Sequence, residues 1–218
     1  MEDVTVHRGR PGGAEAMSSW LRYDLDMGTK TKTAKATHAL PGRADPTAGI
    51  DYGLSGLGEL LRGYRLRVPK YQRNYAWDDE HVTDLLDDLA GAIEKNEPRH
   101  FVGSIVLTRL SKEDLEIVDG QQRLATAFMV LCAIRDYFKT QNDTTRADAV
   151  TSKYICTSDL KSKAMLARLA LNGNDNAFFQ YHVVDRPQTQ AAKIKASTAS
   201  HDRIKGAFER VERVPSAV

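Results

Sequence analysis

The sequence predicts a mixed α/β (α+β) fold, a small mixed sheet with surrounding helices, followed by a mainly helical C-terminal portion. Three observations lead there. Residues 64–68 alternate like a strand and are soon followed by a strongly amphipathic helix. Two further strand-like runs, Phe101 to Leu110 and Leu115 to Val118, flank the polar turn Ser111-Lys112-Glu113-Asp114. The second of these leads through Asp119-Gly120 into Leu124 to Phe138, which is apolar almost all round. A length of 218 residues suits one large domain, or one domain with an appendage. With 41% apolar and 28% charged residues, the chain has the composition of a globular protein.

Residues 1–50 are rich in Gly, Thr, Lys, Ala and Pro, with few large apolar side chains beyond Trp20, Leu21, Tyr23, Leu25 and Leu40. They are expected to form a mostly flexible N-terminal arm. The core is expected over 51–140 and a mainly helical extension over 141–218. Within the core, Gly56 to Leu61 reads as a short helix ended at Gly63, and Pro69 stops the strand that follows. Asp78 or Asp79 can cap the next helix, whose Val82, Leu85, Leu86, Leu89 and Ile93 share one face. In the extension, Arg146 to Tyr154 and Asp175 to His182 read as helical. Leu166 to Leu171 reads as extended, and Asn172-Gly173-Asn174-Asp175 as a turn and helix cap. A last helix carries Ile204, Phe208 and Val211 on one stripe.

The charge is small but segregated. Lys and Arg number 31 against 29 Asp and Glu. Arg62 to Arg73 holds five cations and no acid, whereas Asp78 to Glu97 holds eight acids and only Lys95. The basic stretch suits a polyanion; the acidic helix suits water. No apolar run approaches the roughly 18 residues that cross a bilayer, and charges occupy the first twenty positions where a signal peptide would be apolar. The expected location is the cytoplasm, with no membrane partner. Cys132 and Cys156 lack metal-ligand spacing.

Three segments hold candidate chemistry. In the first, Gly120 lets the backbone turn between strand and helix, and the helix then aims its unpaired N–H groups at whatever lies above. Arg123 offers a planar fork for phosphate oxygens, and the amides of Gln121 and Gln122 can donate to phosphate or orient a water. Asp119 can hold a magnesium ion. The second segment, Val68 to Trp77, packs three aromatics, two cations and two amides into one loop. Lys70, Tyr71, Gln72, Arg73 and Tyr75 are its candidate DNA contacts, whereas Trp77 is better placed to pack against the following helix. In the third, Gly103 and Ser104 interrupt a strand, as they would where a ligand approaches the backbone.

In this order, Pro-x-Tyr-Gln-Arg-x-Tyr-x-Trp, Phe-x-Gly-Ser-Ile-Val-Leu and Ile-Val-Asp-Gly-Gln-Gln-Arg-Leu resemble the DGQQR domain of GmrSD-type, modification-dependent restriction enzymes, including SspE-like phosphorothioate-dependent antiphage proteins. The resemblance runs from about Leu54 to Phe138, and more weakly through Phe178-Phe179 and Ser200 to Arg203. It implies a ParB/sulfiredoxin-like core that binds and hydrolyses GTP or another nucleoside triphosphate with Mg2+. Asp119, Gln121, Gln122 and Arg123 would then be catalytic, with Gly120, Gln72, Arg73, Gly103 and Ser104 around the nucleotide. Ala125 stands where threonine is more usual. The six histidines form no nuclease cluster, so DNA cleavage is expected only from a domain or subunit outside this chain; self-association is left open. The alternative is a non-catalytic ParB-like DNA-binding sensor that holds nucleotide only as a ligand. A sulfiredoxin-like redox enzyme fits poorly, because neither cysteine lies near the glycine turn in sequence.

Overall fold

A computed structural model describes residues 53, 55–98, 100–158, 164–187 and 194–213. The arm expected over residues 1–50 lies outside the described residues. Helix α1 (Leu57–Gly63) leads directly into strand β1 (Arg65–Arg67). Helix α2 (Asp79–Glu94) is capped by Asp78, whose carboxylate accepts the His81 N–H at 3.2 Å and also meets the His81 ring. Val82, Leu85 and Leu86 turn inward, while Asp84, Asp87 and Asp88 face water. Trp77 stacks on His81 with ring centroids 5.8 Å apart, closing the start of this helix.

Strands β2 (Val106–Arg109) and β3 (Asp114–Asp119) pair antiparallel. The strand expected from Phe101 is thus cut to its last few residues. Gly103 sits at φ +106°, and the pairing register shifts between Val106 and Leu107, so residues 101–105 cannot continue the ladder. Helix α3 (Gln121–Thr140) follows, with fifteen of its twenty residues buried, which makes it the centre of the molecule.

The rest of the chain wraps this centre. Helix α4 (Thr144–Val150) runs into a π-helical turn, Thr151–Ile155, and then strand β4 (Cys156–Ser158), which pairs with β5 (Met165–Ala167). Strand β6 (Leu169–Ala170) is followed by α5 (Asn176–Phe179), a second π-helical turn over Gln180–Asp185, and α6 (Ala199–Arg213). The main sheet has the order β2-β3-β1-β6, with β1 parallel to both β3 and β6. Leu66 therefore lies between Leu115 and Leu169, and all three are buried in one hydrophobic cluster that extends from Leu61 to Val211. Each such leucine contributes roughly 1.5–3 kcal/mol. Ile204, Phe208 and Val211 are buried in the same cluster, with α6 packed on α3 and α2, so the apolar stripe of the last helix is covered within this domain. Among the described residues no helix is long and apolar enough to cross a membrane.

A buried cation joins two elements of the core. Arg135, 3% exposed, donates from Nη1 to the Val184 carbonyl at 2.6 Å and from Nη2 to the Val183 carbonyl at 3.1 Å. Its Nε meets Asp136 at 2.8 Å. These bonds fasten α3 to the π-helical turn after α5. Replacing Arg135 with alanine leaves two buried carbonyls and a carboxylate short of a donor. The expected cost is about 3–5 kcal/mol, with the melting temperature lowered by about 10 °C, read by thermal and urea unfolding.

Candidate functional site

Because β1, β3 and β6 are parallel, their C-terminal ends lie on one side of the sheet. Val68 continues from β1, Gly120 from β3 and Leu171 from β6. Such an edge is where open α/β sheets form clefts. Here a small cleft of about 10 Å3, room for no more than one water, is lined by Val68, Arg73, Tyr75, Gln121, Gln122, Leu171, Asn172 and Asp175, among others. Of the candidate residues, Arg73 and Tyr75 after β1 meet Gln121 and Gln122 after β3 in this cleft, whereas Lys70, Tyr71, Gln72, Asp119, Gly120 and Arg123 do not line it.

The corner itself depends on Gly120. It sits at φ +86° as the N-cap of α3, and a Cβ there would stand 3.0 Å from the Ser104 carbonyl oxygen. A glycine offers no capping side chain, and α3 has none. Helices α2 and α4, by contrast, are capped by Asp78 and Asp143. The first turn of α3 contains no acid but does contain Arg123. That side chain lies against Gly103, where a Cβ would fall 2.4 Å from its Nη1, and it reaches the Ser104 carbonyl at 3.4 Å. Gly103 and Ser104 thus lie beside Arg123, with Gly103 clearing space for the guanidinium, and neither lines the cleft. Asp119 is exposed at the end of β3.

The loop 68–77 is held by side chains rather than by a sheet. Gln122 receives the Ala76 N–H on Oε1 at 2.8 Å and donates from Nε2 to the Asn74 carbonyl at 3.1 Å. Gln121 donates to the Arg73 carbonyl at 3.0 Å, and Gln72 donates to the Val118 carbonyl at 2.7 Å. Both motif glutamines are buried, and their amides serve the loop backbone. Lys70, Tyr71 and Arg73 remain exposed, Tyr71 at 75%.

Tyr75 requires a correction. Expected as a DNA contact, it is 3% exposed, and its hydroxyl meets Thr126 Oγ1 at 2.8 Å. Burial pushes its phenol well above the usual range, so it stays protonated inside the core. Its ring presents no face to a nucleic acid.

Asp175 plays a part that sequence reasoning missed. It belongs, as expected, to a turn and helix cap, standing at the N-cap of α5, but its side chain makes no capping hydrogen bond there. Asn172 instead receives the Asp175 N–H, at 3.2 Å. The Asp175 carboxylate, 1% exposed, accepts the Tyr75 N–H at 2.7 Å and the Ser200 hydroxyl at 2.5 Å. Asn172 donates to the Gln72 carbonyl at 3.1 Å and to Asn74 Oδ1 at 2.9 Å. The available signal was position: an Asn-x-x-Asp turn at the end of an extended run falls where the other two strands place their own functional loops.

The thiols take no part. Cys132 is fully buried, which pushes it up to about 12, and Cys156 is raised by burial as well. Neither offers the thiolate that redox chemistry needs. Among the described residues no three His, Cys, Asp or Glu side chains gather as a metal cluster. A magnesium ion that arrives on phosphate commonly takes only one or two protein carboxylates, and the exposed Asp119 carries one at the corner.

The model for the GmrSD restriction endonuclease N-terminal domain matches residues 57–213, from the start of α1 to the end of α6. No curated protein matches the chain. Both the corner at Asp119–Arg123 and the turn at Asn172–Asp175 lie inside the matched span, and the chain belongs to the GmrSD restriction endonuclease N-terminal domain family.

Proposed function

We propose that this restriction-system domain binds a nucleoside triphosphate, GTP or another, at the Asp119–Arg123 corner and hydrolyses it. The observation that carries this reading is the N-terminus of α3, uncapped and with Arg123 in its first turn. A cation there opposes the helix dipole by about 0.3–1 kcal/mol, a cost that an anion on the corner would reverse. The cleft holds only about 10 Å3, far below the roughly 300–1,000 Å3 of ligand pockets, so the nucleotide would lie across its mouth with phosphates toward α3. Arg123 and Arg73 would neutralise phosphate charge beside the backbone amides of Gly120 and Gln121, with Gln72, Gly103 and Ser104 at the rim. Asp119 would hold Mg2+, which when bound supplies charge neutralisation on the phosphate oxygens. Gln121 and Gln122 would act mainly by fixing the loop, since phosphoryl transfer relies on positioning more than on a strong base.

The exposed Lys70, Tyr71 and Arg73 are proposed to read DNA, with a phosphorothioate linkage as the mark. Its sulfur favours an aromatic surround over a strongly hydrated one. Cutting is assigned to a nuclease domain or subunit outside this chain. One observation favours a second reading, a sensor that holds nucleotide without turning it over: the amides of both glutamines are already engaged by the loop.

Phosphate release by the purified chain separates the two, measured with each of four triphosphates, with and without plain or phosphorothioate duplexes. Turnover is the expected result; nucleotide binding without release supports the sensor. Arg123→Ala is expected to lower kcat/KM by about 100- to 1,000-fold, and parent-like turnover would remove Arg123 from the site. Tyr71→Ala is expected to weaken duplex binding by about 10-fold while basal turnover stays unchanged, read by titrating duplex into the same assay.

A further inference from the structure

We infer that Asp175 is a positioning residue that couples the α3 corner to the N-terminus of α6, an inference that rests on the corner being a triphosphate seat. The carboxylate sits between two elements remote in sequence. Its Oδ2 holds the backbone of Tyr75 at 2.7 Å, and its Oδ1 holds the Ser200 hydroxyl in the first turn of α6 at 2.5 Å. Asn74 reaches Ser200 as well, at 3.4 Å, and Asn172 grips both Gln72 and Asn74. The next residue of α6, His201, is seated by the Ser197 N–H on Nδ1 at 3.2 Å and by the Asn174 carbonyl against Nε2 at 3.1 Å. Its ring lies flat on Phe178, with centroids 4.4 Å apart.

The loop that presents Arg73 is therefore clasped from two sides. Gln121 and Gln122 hold it from α3, and Asn172, Asp175 and Ser200 hold it from the C-terminal segment. Arg73 comes two residues before Tyr75, whose N–H is the one that Asp175 fixes. A ligand that pairs with the Arg73 guanidinium binds best when this clasp already holds the loop in place. By linkage, loosening the clasp weakens the ligand as much as the ligand tightens the clasp. Asp175 and Ser200 would not touch the ligand; they would act through the loop.

The test uses the whole chain, Mg·GTP as the probe and a temperature well below unfolding. Asp175→Asn keeps the shape but replaces one accepting oxygen with a donor. It is expected to raise the Kd for Mg·GTP about 10-fold. Ser200→Ala, a milder change on the α6 side, is expected to raise it about 3-fold and keeps the test open if Asp175→Asn does not fold. In the parent, Mg·GTP is expected to slow amide hydrogen exchange at Tyr75 and across Ser200–Asp202; in either variant the second effect is lost. A purely structural role would lower the melting temperature while leaving Kd and the ligand-induced protection of α6 unchanged, and that result overturns the inference alone. No binding by the parent of Mg·GTP or of the Mg complexes of the other three triphosphates overturns the seat as well.

Discussion

A loop without regular structure lies against the core of this domain, and its backbone must find hydrogen bonds there. Buried N–H and C=O groups left unpaired cost about 1–3 kcal/mol each. Side chains meet that demand: Gln121 and Gln122 from α3, Asn172 and Asp175 from the turn after β6. Gln122 treats Asn74 and Ala76 much as a neighbouring strand would, accepting from one residue and donating to another on the same edge. Both glutamines of the motif thus have a physical reason to stand side by side at the head of α3. A consequence follows for chemistry. The groups at the corner with least structural duty are Asp119, Arg123 and Arg73.

The electrostatics of the corner agree with that division. Helices α2 and α4 satisfy their first turns with aspartate caps, which also suit the dipole. Helix α3 forgoes both: a glycine at the cap, and a cation where an anion is favoured. The long 3.4 Å contact from Arg123 to the Ser104 carbonyl compensates weakly. Natural sequences tend to keep such local inconsistency where a ligand or a reaction repays it. Gly103 fits the same view. Its missing Cβ makes room for a guanidinium rather than for a turn of general use, since its backbone interrupts a strand that otherwise continues to Arg109.

Much of this could be read from the sequence because local signals and tertiary structure agreed. Gly63, Asp78 and the acidic face of α2 mark their elements through capping and periodicity, and the run after Gly120 announces a buried helix. The misreadings share one cause, which is that a pattern shows a residue's type but not its partner. Tyr75 looked like a surface aromatic among cations, yet Thr126 one turn into α3 takes its hydroxyl. Asp175 does stand at the N-cap that its Asn-Gly-Asn-Asp turn announced, but its two side-chain oxygens go to residues 100 and 25 positions away, which the turn does not reveal. Arg135 passed unnoticed within an apolar helix because its two carbonyl partners lie in the turn after α5. Long-range polar satisfaction leaves no period in the sequence.

The strand order explains why these distant partners meet at all. With β1 in the middle of β2-β3-β1-β6 and parallel to both neighbours, the chain leaves three strands at the same edge. Each exit supplies something different: the loop with Lys70 to Arg73 from β1, the glycine corner and its helix from β3, and the acid-amide turn from β6. Crossings to either side of β1 open a cleft at the point where the chain changes direction, and polar residues can converge there without being buried in a sheet. Removing β6 would leave Leu66 without its neighbour Leu169 and the loop without Asp175. The segment beyond residue 140 therefore contributes to the sheet, the core and the edge of the site at once, so its two-residue strand matters more to the corner at Asp119 than its length suggests.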